Sequence, residues 1–322
     1  MILDQSGNAV PKILNSSHLK QIKLVDAQAK VTVASQGSEE AKKMLQTAEI
    51  VIGQANDITY LTEAPKLKWL HITSAGANTL SQEMIDSDVL VTNSSGVHPI
   101  PISEHVLGLM LMLVRGLHKA VKIQYTQKKW VRNINIYQPG ELAGKKLLIV
   151  GMGRIGERVA LLGEAFEMNV VGVVRNPEKH QGKFTVVSVK EMDKELKNSD
   201  FVVNCLPLTP ETKNIFDKNR LSKFKSNSFF VNIGRGESVD EVALIEALKN
   251  GKIKGAGLDV FATEPLPESS PLWEMENVII TPHYSGANPH YFDRVITIFC
   301  ENLKAYIKKK TLPQLVDKKL GY

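Results

Sequence analysis

The stretch "LLIVGMGRIGERVALLGEAF" (147–166) constrains the fold of this chain more than any other. An apolar, β-branched run stops at Gly151, Gly153 and Gly156, and a helical pattern follows directly. Gly151 permits a tight turn, and Gly153 lets the backbone come close to a pyrophosphate. Gly156 lets the helix lie against the strand, with the helix N-terminus facing the phosphates. Glycines punctuate many loops, so the spacing alone is a weak sign. The strand before it and the helix after it favour dinucleotide binding.

Similar apolar runs recur along the chain. Before residue 100 they include "AEIVIGQ", "LKWLHITSAG" and "DVLVTNSSG". After residue 140 come "KKLLIVGMG", "MNVVGVVR", "SDFVVNCLP", "NSFFVNIGRG", "GAGLDVF" and "NVIITPH". Continuous apolar strands alternating with amphipathic helices read as parallel sheets covered on both faces. Two sets of them predict an α/β protein with two doubly wound domains. The prolines of "VHPIPIS" (97–103) mark a hinge, and "HYFDRVITIFCENLKAYIKKK" (290–310) reads as a long amphipathic helix.

With 322 residues, two domains of ordinary size fit. Cys205 and Cys300 form neither a disulfide framework nor a metal cluster, and the start "MILDQSGNAVPK" lacks the apolar run of a secretion signal; a cytoplasmic protein is expected. The net charge of +6 comes from scattered lysines, which read as a solvated surface and not as a nucleic-acid patch. "VLGLMLMLV" (106–114) is too short to cross a bilayer and reads as a buried helix.

Three residues at strand ends carry candidate chemistry. Arg235 sits between two glycines after "FFVNI", where its planar fork suits a carboxylate; a plain surface arginine is the bland reading. Ser238 with Glu241 reads as a capping box for the helix that follows, closed by Gly251. Glu264 follows "GLDVFAT" and His283 follows "VIITP"; singly each is an ordinary loop residue, and together they read as a proton donor and its orienter. A carboxylate beside an imidazole favours the protonated ring. Ala75 and Gly76, after "LHITS", offer backbone amides to a second oxyanion. The histidines at 18, 71, 98, 105, 118, 180 and 290 show no metal-ligand spacing, and His105 reads as a helix residue near the hinge.

Taken in order, "TNSSGVHPIPISEHVLGLMLMLVR", "ELAGKKLLIVGMGRIG", "LPLTPETKNIF", "VNIGRGESVDEVALIEAL", "GAGLDVFATEPLP" and "NVIITPHYSG" resemble the D-isomer-specific 2-hydroxyacid dehydrogenase family, the phosphoglycerate dehydrogenase and hydroxypyruvate/glyoxylate reductase group. The resemblance implies catalytic roles for Arg235, Glu264 and His283. It also implies pyrophosphate contacts at Arg154 and Ile155, and an adenosine turn at Pro207. Nicotinamide-side contacts fall on Ile233, Asp259 and the loop from His283 to Gly286, and Tyr284 departs from the smaller or aliphatic residue usual there. It further implies a flavodoxin-like substrate domain (1–99 and 288–322) with a Rossmann dinucleotide domain (100–287) inserted in it. Dimerisation is implied through the helix near 103–117 and the arm around 125–140.

The expected reaction moves a hydride between NAD(P)H and a small 2-oxo acid, giving a D-2-hydroxy acid without a metal. Arg235 and the Ala75–Gly76 amides hold the carboxylate while His283 supplies the proton. The rival from another class is an NAD(P)-sensing interaction protein of corepressor type on the same fold; the chain shows no disordered tail or peptide-binding extension of that kind. The strand "MNVVGVVRNP" bears on the cofactor, since NAD-binding versions of this fold usually end it with an acid that binds the ribose. Val174 and Arg175 stand there instead, and no acid occurs from Met168 to Pro177. Arg175 can pair with a 2′-phosphate, so NADP is the preferred cofactor and NAD the alternative.

Overall fold

The computed structural model describes residues 2–4, 14–35, 37–54, 63–77, 80–180 and 182–318. The chain divides into two compact units, Met1–His98 with Asn288–Tyr322, and Pro99–Ala287. In the first unit, β1 (Ile2–Asp4), β2 (Val33–Ser35), β3 (Ile50–Gly53), β4 (Trp69–Ile72) and β5 (Leu90–Thr92) form a parallel sheet in the order β2-β1-β3-β4-β5. This is the flavodoxin-like order. β4 is buried along its whole length. Trp69 stacks on Phe299 and Tyr306 of the Tyr291–Ile307 helix, with ring centroids 5.0 and 5.2 Å apart.

Burying β4 also buries polar atoms, and these satisfy one another. The Trp69 indole N–H donates to Thr92 Oγ1 at 2.8 Å, and that hydroxyl lies 2.7 Å from His71 Nδ1. Ser94 Oγ donates to the Ile72 carbonyl, so His71 Nε2, 3.2 Å away, is the donor to Ser94. His71 is therefore held neutral, and burial pushes its pKa down to about 3.

In the second unit, β6 (Lys146–Val150), β7 (Asn169–Val174), β8 (Val186–Ser188), β9 (Phe201–Asn204), β10 (Phe229–Asn232), β11 (Gly255–Leu258) and β12 (Val278–Ile280) form a second parallel sheet. Its order is β12-β11-β10-β9-β6-β7-β8, with the reversal of the chain between β6 and β9. This is a Rossmann arrangement carrying one further strand at its edge. Asn204 pairs in register with Asn232, Asn232 with Leu258, and Leu258 with Ile280, so the loops leave four neighbouring strands at one level.

One expectation needs correction. The helix Glu241–Lys249 is capped by Asp240, whose side chain accepts from the Ala243 N–H at 3.0 Å. Ser238 belongs to the preceding turn and donates to the Arg235 carbonyl instead, because its hydroxyl is taken up by the interior. The apolar helix Pro99–Arg115 packs as a core helix. It buries Val106, Leu107, Leu109, Met110, Leu113 and Val114 inside its own unit, against β10, β11 and the Arg154–Ala165 helix. Exposed apolar surface lies further on, at Leu117, Val121, Tyr125, Trp130 and Ile134. Among the described residues no single helix is long and apolar enough to cross a membrane, although the bent pair Pro99–Arg115 and Leu117–Gln127 meets that test jointly. Among the described residues no cluster of three or more metal-ligating side chains occurs.

Candidate active site

Six loops of the second unit gather at the carboxyl edge of its sheet, the edge at which open α/β sheets bind ligands. Gly151 leaves β6 at φ +102°. A Cβ on Gly156 would lie 2.1 Å from the Gly151 carbonyl oxygen, so this helix reaches its turn only with glycine at that position. Gly153 is the N-cap of the Arg154–Ala165 helix and offers no side-chain cap, and a Cβ built there meets nothing within 4 Å. The first-turn amides at Arg154 and Ile155 lie at the positive end of this helix, a fit for a pyrophosphate. Arg175 lies exposed beyond β7 and acts electrostatically on Glu211, in the turn after β9. That turn is braced at Pro207, whose carbonyl accepts from Thr212 Oγ1 at 2.7 Å.

Beneath these loops runs a buried polar network that sequence reading missed. Asn204 Nδ2 donates to Asn232 Oδ1 at 2.9 Å and to Ser238 Oγ at 2.7 Å. Ser238 Oγ donates to the Arg235 carbonyl at 2.6 Å, and Asn232 Oδ1 also accepts from the Gly234 N–H. Ile233 is held by a backbone bond to Asn204. Arg235 is thereby fixed at its backbone, while among the described residues its guanidinium bonds only its neighbour's carbonyl, Gly234 O at 2.7 Å, leaving donors for a ligand.

Glu264 and His283 come together as expected. His283 Nδ1 lies 2.6 Å from Glu264 Oε2, and the other oxygen, Oε1, accepts from the Phe261 N–H at 2.9 Å. With the carboxylate as acceptor, Nδ1 carries a proton and Nε2 is the ring nitrogen turned to other partners. His283 takes a left-handed backbone, φ 51°, and its N–H donates to the Asp259 carbonyl. Asp259 itself is fully buried. Its carboxylate accepts from Thr281 Oγ1 at 2.6 Å and from the Tyr284 and Ser285 N–H groups at 3.2 Å each, so it supports the loop that runs on to Gly286.

The Arg235 and Glu264 segments also touch. A Cβ on Gly236 would lie 1.9 Å from the carbonyl of Phe261, and Glu241 Oε2 accepts from the Ala262 N–H. Ala75 and Gly76 belong to the first unit, in the turn after β4. Their carbonyls are tied back by Asn93 and Ser74, and no described residue accepts from either amide.

Comparison with known proteins agrees with this geometry. Residues 107–285 match the family model of the D-isomer specific 2-hydroxyacid dehydrogenase NAD binding domain. The D-3-phosphoglycerate dehydrogenase of Methanocaldococcus jannaschii is 31% identical over 316 residues, which cover 94% of this chain and 60% of that protein. A glyoxylate reductase of Thermofilum pendens is 34% identical over 270 residues, 82% of this chain and 79% of the relative. Among solved structures, the NADPH-dependent glyoxylate/hydroxypyruvate reductase of Sinorhizobium meliloti, in complex with NADP and sulfate, superposes with a TM-score of 0.78 at 25% identity, covering 100% of this chain and 99% of that one. The order of the strand-end residues and these matches agree along nearly the whole chain: it belongs to the D-isomer specific 2-hydroxyacid dehydrogenase family.

Proposed function

We propose that this chain is an NAD(P)-dependent oxidoreductase that interconverts a small 2-oxo acid, glyoxylate or hydroxypyruvate in kind, with its D-2-hydroxy acid. The observation that carries the reading is the 2.6 Å His283–Glu264 pair, at the sheet edge that also carries Arg235. Gly151, Gly153 and Gly156 with the amides of Arg154 and Ile155 would hold the pyrophosphate, the Pro207 turn the adenosine, and Ile233 and Gly286 the nicotinamide side. The bound nicotinamide supplies the hydride chemistry.

Every other role falls to side chains of this protein. The free guanidinium donors of Arg235 pair with the substrate carboxylate and draw electron density from the keto oxygen. His283 Nε2 delivers a proton to that oxygen and recovers one in the reverse direction, while Glu264 keeps Nδ1 occupied and the ring in one orientation. NADP is the preferred cofactor, on the strength of Arg175 and the acid-free end of β7; NAD is the alternative. We place the protein in the cytoplasm as a homodimer, joined through the helix near 103–117 and the arm around 125–140. The test is nicotinamide absorbance with a panel of 2-oxo acids: turnover of a short 2-oxo acid is expected, and none with any member of the panel refutes the assignment.

A further inference from the structure

His105, in the middle of the Pro99–Arg115 helix, has no role in the chemistry above, yet its ring reaches the underside of the His283 loop. Nε2 lies 3.0 Å from Thr281 Oγ1 and 3.8 Å from Asp259 Oδ1. The Thr281 hydroxyl donates to Asp259 Oδ1, which as a carboxylate can only accept, so the hydroxyl lone pair faces His105 and Nε2 carries the proton. The same Asp259 carboxylate accepts from the Tyr284 and Ser285 amides, the two residues after the proton donor. The Tyr284 ring stands edge-on to His105, with centroids 5.3 Å apart at 85°. Burial lowers the His105 pKa and Asp259 opposes that shift, so the ring acts as a neutral donor.

We propose that His105 is a positioning residue for the proton donor. Through Thr281 and Asp259 it fixes the loop that carries His283 in its left-handed conformation. Asp259 alone could rotate about its side chain and follow the loop; three groups in a line, anchored on a buried helix, cannot. A polar line of this kind holds its geometry only while each member is satisfied. The proposal rests on the catalytic role given to His283 above.

The experiment compares His105→Leu, His105→Gln and Thr281→Val with wild type, using the oxo acid and NADPH. Glutamine has the same number of bonds between Cβ and its terminal nitrogen as histidine has to Nε2, so it can donate to Thr281 where leucine cannot. Expected is a fall in kcat of about tenfold for His105→Leu and Thr281→Val with KM for the oxo acid within about twofold, and recovery to within about threefold in His105→Gln. Amide hydrogen exchange gives a readout free of turnover: exchange at Tyr284 and Ser285 should quicken in the leucine and valine variants and return towards wild type in the glutamine variant. Leucine and glutamine variants that behave alike in both readouts, or a leucine variant with wild-type kcat and exchange, overturn the proposal. Should wild type turn over no oxo acid, the assigned function fails, and the exchange pattern still decides whether His105 orders the loop. If His105→Leu does not fold, Thr281→Val against Thr281→Ser makes the same comparison.

Discussion

Gly236→Ala probes the join between the two halves of the site. A Cβ at this position falls 1.9 Å from the Phe261 carbonyl carbon and oxygen and 2.4 Å from the Ala262 nitrogen. All three are backbone atoms, so no side chain can swing aside. To restore ordinary contact the Arg235 turn must retreat from the Phe261–Glu264 segment by about 1.5 Å, and a shift of about 1 Å in an active site already costs roughly a hundredfold in rate. Overpacking of this kind destabilises by about 1–3 kcal/mol, a drop in Tm of several degrees for a unit of this size. The control is Gly251→Ala, at the far end of the helix Glu241–Lys249, where φ is +67° and a Cβ meets nothing within 4 Å. That change strains the backbone by about 1–2 kcal/mol and touches no site residue. Steady-state assays with oxo acid varied, beside thermal melts, should show both variants destabilised and only Gly236→Ala losing kcat/KM by about a hundredfold. Equal losses in the two variants, or a Gly236→Ala enzyme within about threefold of wild type, would refute the reasoning.

His283→Ala should lower kcat by about a hundredfold or more while cofactor affinity stays near normal, as general acid catalysis requires; near-normal turnover removes the role. Arg175→Ala should erode a preference for NADPH, read as kcat/KM with both cofactors at fixed oxo acid; a wild-type preference for NADH of about tenfold or more, about 1.4 kcal/mol in the wrong direction, sinks the idea. Burial lowers the His71 pKa from 6.5 to about 3, so the unfolded chain binds the proton first. Stability is fully present above pH 6.5 and is lost as pH falls towards 3, about 2 kcal/mol of it between pH 7 and pH 5. Denaturant titrations across that range should show a shallower pH slope in His71→Leu; identical slopes count against it. Light scattering at micromolar concentration should give a dimer that Trp130→Glu weakens, since the Trp130 side chain is 95% exposed in the single chain; a clean wild-type monomer counts against the interface.

Much of the site was legible because parallel sheets place function at strand ends. Arg235, Glu264 and His283 each follow an apolar run and stand beside glycine or proline, so counting from the strands found them. β1, β2 and β8 are three-residue strands, too short for a hydrophobic period to stand out. The segment "SVDE" contains two residues able to cap a helix, Ser238 and Asp240. The choice between them is made by Asn204, 34 residues earlier, which takes the Ser238 hydroxyl. His105 and Thr281 stand 176 residues apart, and neither carries a local pattern that points to the other. What stayed hidden was long-range polar pairing, which leaves no period in a sequence.

The same pairing explains why polar residues tolerate burial here. In-register parallel strands end with Asn204 beside Asn232 and, one residue beyond Leu258 and Ile280, Asp259 next to Thr281, all of them buried. An unpaired polar group in such a place costs about 1–3 kcal/mol. Asn204 pairs with Asn232 and Thr281 with Asp259, so the sheet ends in two polar rungs instead of an apolar cap. The same acceptors also reach upward: Asn232 Oδ1 to the Gly234 amide, Asp259 Oδ1 and Oδ2 to the amides of Tyr284 and Ser285. An apolar end to the sheet could pack equally well but could not grip the backbone above it. The rungs therefore set the heights of Arg235 and His283, and both side chains inherit their geometry from the polar residues buried beneath them.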